Sequence, residues 1–66
     1  MTPQEAKELL ANATVAPDDL EISGKKWKLE VSYLTRQEAL GSAEYLDTYR
    51  LFKFKNGYAL YERNYL

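Results

Sequence analysis

The side chains in this sequence that could do chemistry are carboxylates, hydroxyls and amines, because the chain contains neither histidine nor cysteine. The missing histidine removes the commonest general base and the commonest zinc ligand, and the missing cysteine removes thiolate nucleophiles and disulfides. Ser23, Ser32 and Ser42 therefore have no imidazole to activate them, which excludes a hydrolase triad. We expect no catalytic residue, no cofactor and no metal ion.

Three further groups resemble motifs only in part. Residues 24–26 (Gly-Lys-Lys) lack the upstream glycine and the following Ser or Thr of a phosphate-binding loop, so they predict a hairpin corner with solvated lysines. The acidic segment 18–21 lacks the spacing and the glycine of a calcium loop. Glu30 and Glu62 fall on the predicted outer side of a sheet, without a cleft that could make them an acid/base pair. These exclusions favour a binding protein over an enzyme and argue against a small-molecule substrate.

Length and composition predict one small domain over residues 1–66. The chain has a mass of 7.7 kDa, is 45% hydrophobic and 29% charged, and has a net charge of −1, which leaves no room for a two-domain catalytic cleft. The charge is uneven, since residues 1–24 carry one lysine against five carboxylates while the remainder is mildly basic. No apolar run approaches the ~20 residues that span a bilayer, and no secretory signal is evident. We expect a cytoplasmic protein that does not contact membranes.

The first predicted element is a helix over residues 3–12. Thr2 is a good N-cap, Pro3 suits the first helical position, and Glu5 completes a capping box. The apolar residues at helical spacing are Ala6, Leu9, Leu10 and Ala13.

Two β-hairpins are predicted from the alternation of apolar and polar residues. The first turns at the Ser23-Gly24-Lys25 corner and joins Leu20 and Ile22 to an alternating run that begins at Trp27. The second turns at Asn56-Gly57, the preferred pair of a two-residue type I′ turn. That turn would set Phe54 opposite Ala59 and Phe52 opposite Tyr61.

A second helix is predicted between the hairpins. Thr35 and Glu38 form another capping box, and apolar residues follow at helical spacing, although Gly41 weakens the pattern. These apolar residues are Ala39, Leu40, Ala43 and Leu46. The alternative is a long loop at 35–46, which would give an α-β-β-β chain.

The two halves of the chain resemble each other, which predicts an internal pseudo-repeat of residues 2–34 and 35–66. Thr2-x-Gln-Glu-Ala recurs at Thr35, and the Glu-x-x-Tyr-Leu segment at 30–34 recurs at 62–66. The expected fold is α+β: two α-β-β units form one four-stranded antiparallel sheet with two helices on one face, and the second strand of each hairpin is central. The expected inner layer comprises Leu20, Ile22, Trp27, Leu29, Val31, Tyr33, Phe52, Phe54, Ala59 and Tyr61 against Ala6, Leu9, Leu10, Leu40, Ala43 and Leu46. The positions of Arg50 and Arg63 on this layer are unexplained by the pattern.

The other face of the sheet is the predicted binding surface, because apolar and aromatic residues would lie there in water with a rim of lysines. The expected contact residues are Tyr49, Leu51, Lys53, Lys55, Tyr58 and Leu60. The simpler alternative is that these are ordinary scattered surface residues.

Two functional classes follow from that surface. The first is a small regulatory or inhibitory module that binds a protein partner or a second copy of itself. The second is a nucleic-acid-binding module in which lysines meet phosphates while Tyr49 and Tyr58 stack on bases. The modest basic excess disfavours the second class, because nucleic-acid-binding domains usually carry a clear positive charge.

Overall fold

The computed structural model describes residues 1–63, and within them it contains two helices and four strands. The elements are α1 (Pro3–Ala11), β1 (Asp19–Ile22), β2 (Lys25–Tyr33), α2 (Arg36–Ala43), β3 (Tyr49–Phe54) and β4 (Gly57–Arg63). All strand pairs are antiparallel and the strand order is β1-β2-β4-β3. The predicted α+β class, the order of elements and the central position of each hairpin's second strand are confirmed. The alternative with a loop at 35–46 is wrong, whereas the duplication stays a prediction whose last residues, 64–66, lie outside the described part.

Helix α1 begins with the predicted capping box. The Thr2 hydroxyl accepts a hydrogen bond from the Glu5 amide at 3.1 Å, and the Glu5 carboxylate accepts one from the Thr2 amide at 2.9 Å. The hydrogen bond from the Thr2 amide to the carboxylate, with a further contribution from the Thr2 side chain, lowers the pKa of Glu5. The helix buries Ala6 and Leu10 and ends at Ala11, one residue earlier than predicted. Leu9, a predicted core residue, is 49% exposed.

The main core lies between α1 and one face of the sheet. Its buried residues are Ala6, Leu10, Ala16, Leu20, Ile22, Trp27, Phe52, Phe54, Ala59 and Tyr61, with Leu29 packed against them. Phe52 and Tyr61 pack edge to face at a centroid distance of 5.8 Å. Tyr61 donates a 2.6 Å hydrogen bond to the Pro17 carbonyl, which ties the loop after α1 to the sheet.

Helix α2 lies on the opposite face of the sheet, so the expectation of both helices on one face is wrong in this detail. Helix α1 contacts both edge strands and so crosses the whole of its face, whereas α2 contacts the central strands β2 and β4. The hydroxyls of Tyr33 and Ser42 share a hydrogen bond, and Tyr33 pairs with Tyr58. Tyr58 and Leu60 alternate with Ala59 and therefore point away from α1. The predicted core residues Leu40, Ala43 and Leu46 accordingly do not belong to the α1 side.

A β-bulge in β2 explains the second face. Leu29 pairs with Tyr61, but Val31 pairs with Leu60, because the register shifts between Leu29 and Val31. One extra residue in a strand inverts the alternation beyond it. Val31 and Tyr33, which the alternation predicts on the same face as Trp27, therefore point to the α2 side.

The residues that form the two hairpin turns differ from those predicted. Ser23 and Gly24 have φ values of +53° and +77°, as a type I′ turn requires. The second hairpin turns at residues 55–56, so that Phe54 pairs with Gly57 and Phe52 pairs with Ala59. The predicted pairing is wrong by two residues, and the predicted faces are right because alternation has a period of two.

Candidate functional site

The six predicted contact residues do not form one open surface. Leu60 is completely buried, and Leu51 and Tyr58 are half-buried. Tyr49 is 42% exposed, and Lys53 and Lys55 are exposed. The expectation of an uncovered sheet face is wrong at its centre, because α2 buries Ala39 and Ala43 on this side of the sheet.

The β3 residues of the predicted set form a firm surface at the side of the sheet. Leu51 pairs directly with buried Leu60, and Lys53 pairs with Tyr58. The Lys53 ammonium lies 5.4 Å from the Tyr58 ring centroid and donates to the Phe54 carbonyl. Lys55 lies in the turn and not in the strand. Tyr49, Leu51, Lys53, Lys55 and Tyr58 are called the β3 surface below.

The two edges of the sheet are treated differently by the chain. The turn end of the β1 edge is occupied by Met1, whose ammonium group donates to the Glu21 carbonyl at 3.1 Å. The Met1 carbonyl accepts from the Ser23 amide at 2.7 Å. This pair of bonds occupies backbone groups that would otherwise be open to another strand.

The β3 edge carries backbone groups that point away from the sheet. The Arg63 amide donates to the Thr48 carbonyl at 3.2 Å, which marks residues 48 and 63 as a hydrogen-bonded pair of the ladder. Because such pairs alternate, the N–H and C=O groups of Tyr49, Leu51 and Lys53 point outward. Within residues 1–63, no backbone hydrogen bond joins β3 to an element other than β4.

A groove of about 390 Å³ runs between this edge and α1. Helix α1 contributes Pro3, Gln4, Lys7 and Ala11, and β3 contributes Arg50, Leu51, Phe52 and Lys53. Three of these lining residues are cationic and none is a carboxylate. This space, called the α1–β3 groove below, therefore combines open backbone groups with positive charge.

The position of Arg50, which the sequence pattern leaves open, follows from Trp27. The guanidinium of Arg50 lies 5.0 Å from the Trp27 ring centroid, and that of Arg63 lies 6.0 Å from it. Such cation–π contacts hold a cation above an aromatic face. Arg63 also donates to the Lys26 carbonyl at 3.4 Å. The Arg50 Nε atom is buried and has no hydrogen-bond partner among residues 1–63.

Other kinds of site find little support in the part of the chain that the structure describes. No group of three or more Asp, Glu, His or Cys side chains is placed to hold a metal ion among residues 1–63. A second depression, lined by Asp19, Leu20, Glu21 and Lys26, carries charges of both signs. Neither helix in the described range is long and apolar enough to cross a membrane.

Comparisons with protein-family models, with curated proteins and with solved structures found no match to the chain.

Sequence reasoning missed Lys7 and Arg50 as site residues. Lys7 lies one position from buried Ala6, so it borders the packed stripe of α1. The edge position of β3 follows from the prediction that β4 is central. These two signals together could have indicated the groove, but the expected second helix on the same face obscured it.

Proposed function

We propose that this protein is a small, non-enzymatic, cytoplasmic module that binds a protein partner through the β3 surface and the adjoining α1–β3 groove. The observation that carries the proposal is the six-residue β3 edge, which stays open, whereas Met1 occupies the end of the four-residue β1 edge. Open strand edges are recurring sites of protein recognition.

The side chains around the edge support a protein partner. Tyr49 is exposed and offers a large contact area at a small cost in side-chain entropy. Leu51 rests on buried Leu60, so the surface is held by the core and loses little freedom on binding. Lys53 and Lys55 supply a polar, charged rim.

A nucleic-acid-binding sheet platform is not favoured by any particular observation. Such platforms stack bases on open aromatic side chains of a sheet face. Here α2 covers the centre of that face, and the Lys53 ammonium already lies over the Tyr58 ring.

The proposal is tested by affinity capture with the tagged protein from its native cells, followed by quantitative mass spectrometry. Tyr49→Asp and Lys53→Glu should each reduce recovery of the partner at least about tenfold, as loss of a central contact does. Lys28→Glu is the matched control, because Lys28 is also an exposed strand lysine but lies in β2, two strands away from β3. Equal recovery with all three variants, or recovery of nucleic acid in place of protein, would contradict the proposal.

A further inference from the structure

We infer that the α1–β3 groove receives an extended, acidic segment of the partner protein, which pairs with β3 as a fifth strand of the sheet. This inference rests on the proposed function and specifies the chemistry of the partner.

The backbone of β3 is suited to strand addition. Tyr49, Leu51 and Lys53 each direct one N–H and one C=O outward, so a partner strand meets a regular row of donors and acceptors. The six residues of β3 contain no proline, and its pairing with β4 is continuous from Tyr49 to Phe54. The register irregularity of the sheet lies in β2 instead. Two devices that protect an edge, a bulge and a proline, are therefore missing from β3 itself, and its charged residues Arg50 and Lys53 disfavour only a cationic partner strand.

At the turn end of this edge, outward-pointing groups already bond to another backbone segment of the same chain. The Lys55 amide donates to the Ala13 carbonyl at 3.0 Å, and the Asn56 side chain donates to the Thr14 carbonyl at 2.6 Å. The loop after α1 thus supplies backbone acceptors beside the turn. The open part of the edge begins at Lys53, next to this contact.

Charge selects the kind of segment. Lys7 and Arg50 line the α1 side of the groove, Lys53 lines the other side, and no carboxylate of residues 1–63 lines it. The Arg50 guanidinium lies against Trp27 of β2, inward from the edge, so Lys7 and Lys53 are the cations that an added strand would meet. Carboxylates at adjacent positions of an added strand point to opposite faces, so they would meet Lys7 on the α1 face and Lys53 on the other face.

A second copy of this chain fits the groove less well. Pairing of two β3 edges would bring the same cations of both copies into one seam, and the lining offers no carboxylate to compensate them. Like charges across neighbouring strands are destabilising. An acidic strand from another protein meets no such cost.

The probe for the test is the capped heptapeptide Val-Glu-Glu-Val-Glu-Glu-Val, which presents glutamates on both faces of an extended strand, and the readout is amide hydrogen exchange by NMR. With saturating peptide, the amides of Tyr49, Leu51 and Lys53 should exchange at least about tenfold more slowly, because new hydrogen bonds protect them. The amides of Arg50 and Phe52 already bond to β4, so they serve as internal controls.

Two variants at one position separate charge from backbone pairing. Lys53→Gln removes only the charge and should weaken binding about two- to fivefold, the size of one exposed charge contact. Lys53→Pro removes the same charge and also the outward N–H, so it should weaken binding at least about tenfold further. Proline is tolerated at an edge position whose N–H faces solvent.

The same question can be asked without changing the protein. Methylation of the peptide nitrogens that face β3 keeps the charge and removes the bonding, and should reduce affinity as Lys53→Pro does. The methylated peptide therefore tests backbone pairing even if the Lys53→Pro variant does not fold. Equal binding of the methylated peptide, or of a peptide with lysine in place of glutamate, would overturn the inference. So would concentration-dependent self-association through the Tyr49, Leu51 and Lys53 amides without peptide.

The outcome separates this inference from the proposed function. A captured partner that depends on Tyr49 and Lys53 but leaves the β3 amides unprotected would refute strand addition and retain the protein-binding proposal. A capture experiment without such a partner would refute the proposed function itself.

Discussion

The substitution Gly57→Ala tests the packing between the central strands. Gly57 has a φ of +151°, and a Cβ at this position would lie 3.1 Å from the carbonyl carbon of Tyr33 and closer still to its oxygen. The backbone conformation costs alanine about 1–3 kcal/mol, and overpacking against a backbone that cannot turn away costs another ~1–3 kcal/mol. The total of about 2–6 kcal/mol is comparable to the ~3–5 kcal/mol that a core of this size supplies. We therefore expect a largely unfolded variant.

The other two glycines are matched controls for this substitution. Gly24 has a φ of +77°, but a Cβ added there would meet no atom within 4 Å, and Gly41 has neither constraint. Gly24→Ala should lose only about 1–2 kcal/mol from the backbone conformation, and Gly41→Ala should gain ~0.5–1 kcal/mol of helix stability. Urea unfolding followed by the fluorescence of buried Trp27 measures all three variants. If Gly57→Ala were no less stable than Gly24→Ala, the close approach of β4 to β2 would be refuted.

Two further predictions concern the Tyr61 hydroxyl and the first turn. Burial, with a smaller effect of Asp18 and Asp19, raises the pKa of Tyr61 to about 12. The folded state therefore favours the neutral phenol. This contribution to the free energy of unfolding is complete below a pH of about 10 and is lost as the pH rises toward 12. Alkaline unfolding monitored by circular dichroism should show this loss in the wild type and a smaller one in Tyr61→Phe; an unchanged pH dependence would contradict the assignment. Ser23 has a positive φ, which asparagine tolerates better than serine and valine tolerates poorly. In urea unfolding, Ser23→Asn should stabilise the protein by a few tenths of a kcal/mol, and Ser23→Val should destabilise it by ~1–2 kcal/mol. Equal urea midpoints for both variants would refute the type I′ turn.

Local signals in the sequence predict most of the elements. The capping motifs at Thr2 and Thr35 mark both helix starts, because the bonds that cap a helix join residues three positions apart. The box is complete at Thr2, whereas at Thr35 the Glu38 carboxylate accepts from the Thr35 hydroxyl and not from its amide. Alternation around Ser23-Gly24 predicts the first hairpin. These features depend on neighbouring residues, so a single sequence contains the information for them.

Features that depend on the approach of distant strands could not be predicted in the same way. The bulge near Leu29 arises in the pairing of β2 with β4, and the alternation of apolar and polar residues in β2 does not indicate it. The Asn-Gly pair predicts a turn position for Gly57, because this pair is common in turns. The actual constraint on Gly57 is the backbone of Tyr33, a residue 24 positions earlier in the chain.

The bulge also determines which parts of the sheet stay open. By turning Tyr33 toward the α2 side, it places the start of the α2 connection on that face, and the Tyr33–Ser42 hydrogen bond holds α2 over β2 and β4. With α1 on one face and α2 on the other, the centre of the sheet is closed on both sides, and fully buried Leu60 is the direct sign of this. The backbone groups that stay open are then those at an edge, and Met1 occupies the end of one of the two edges. The longer open edge is that of β3, which is why the proposed binding surface lies there and in the groove beside it.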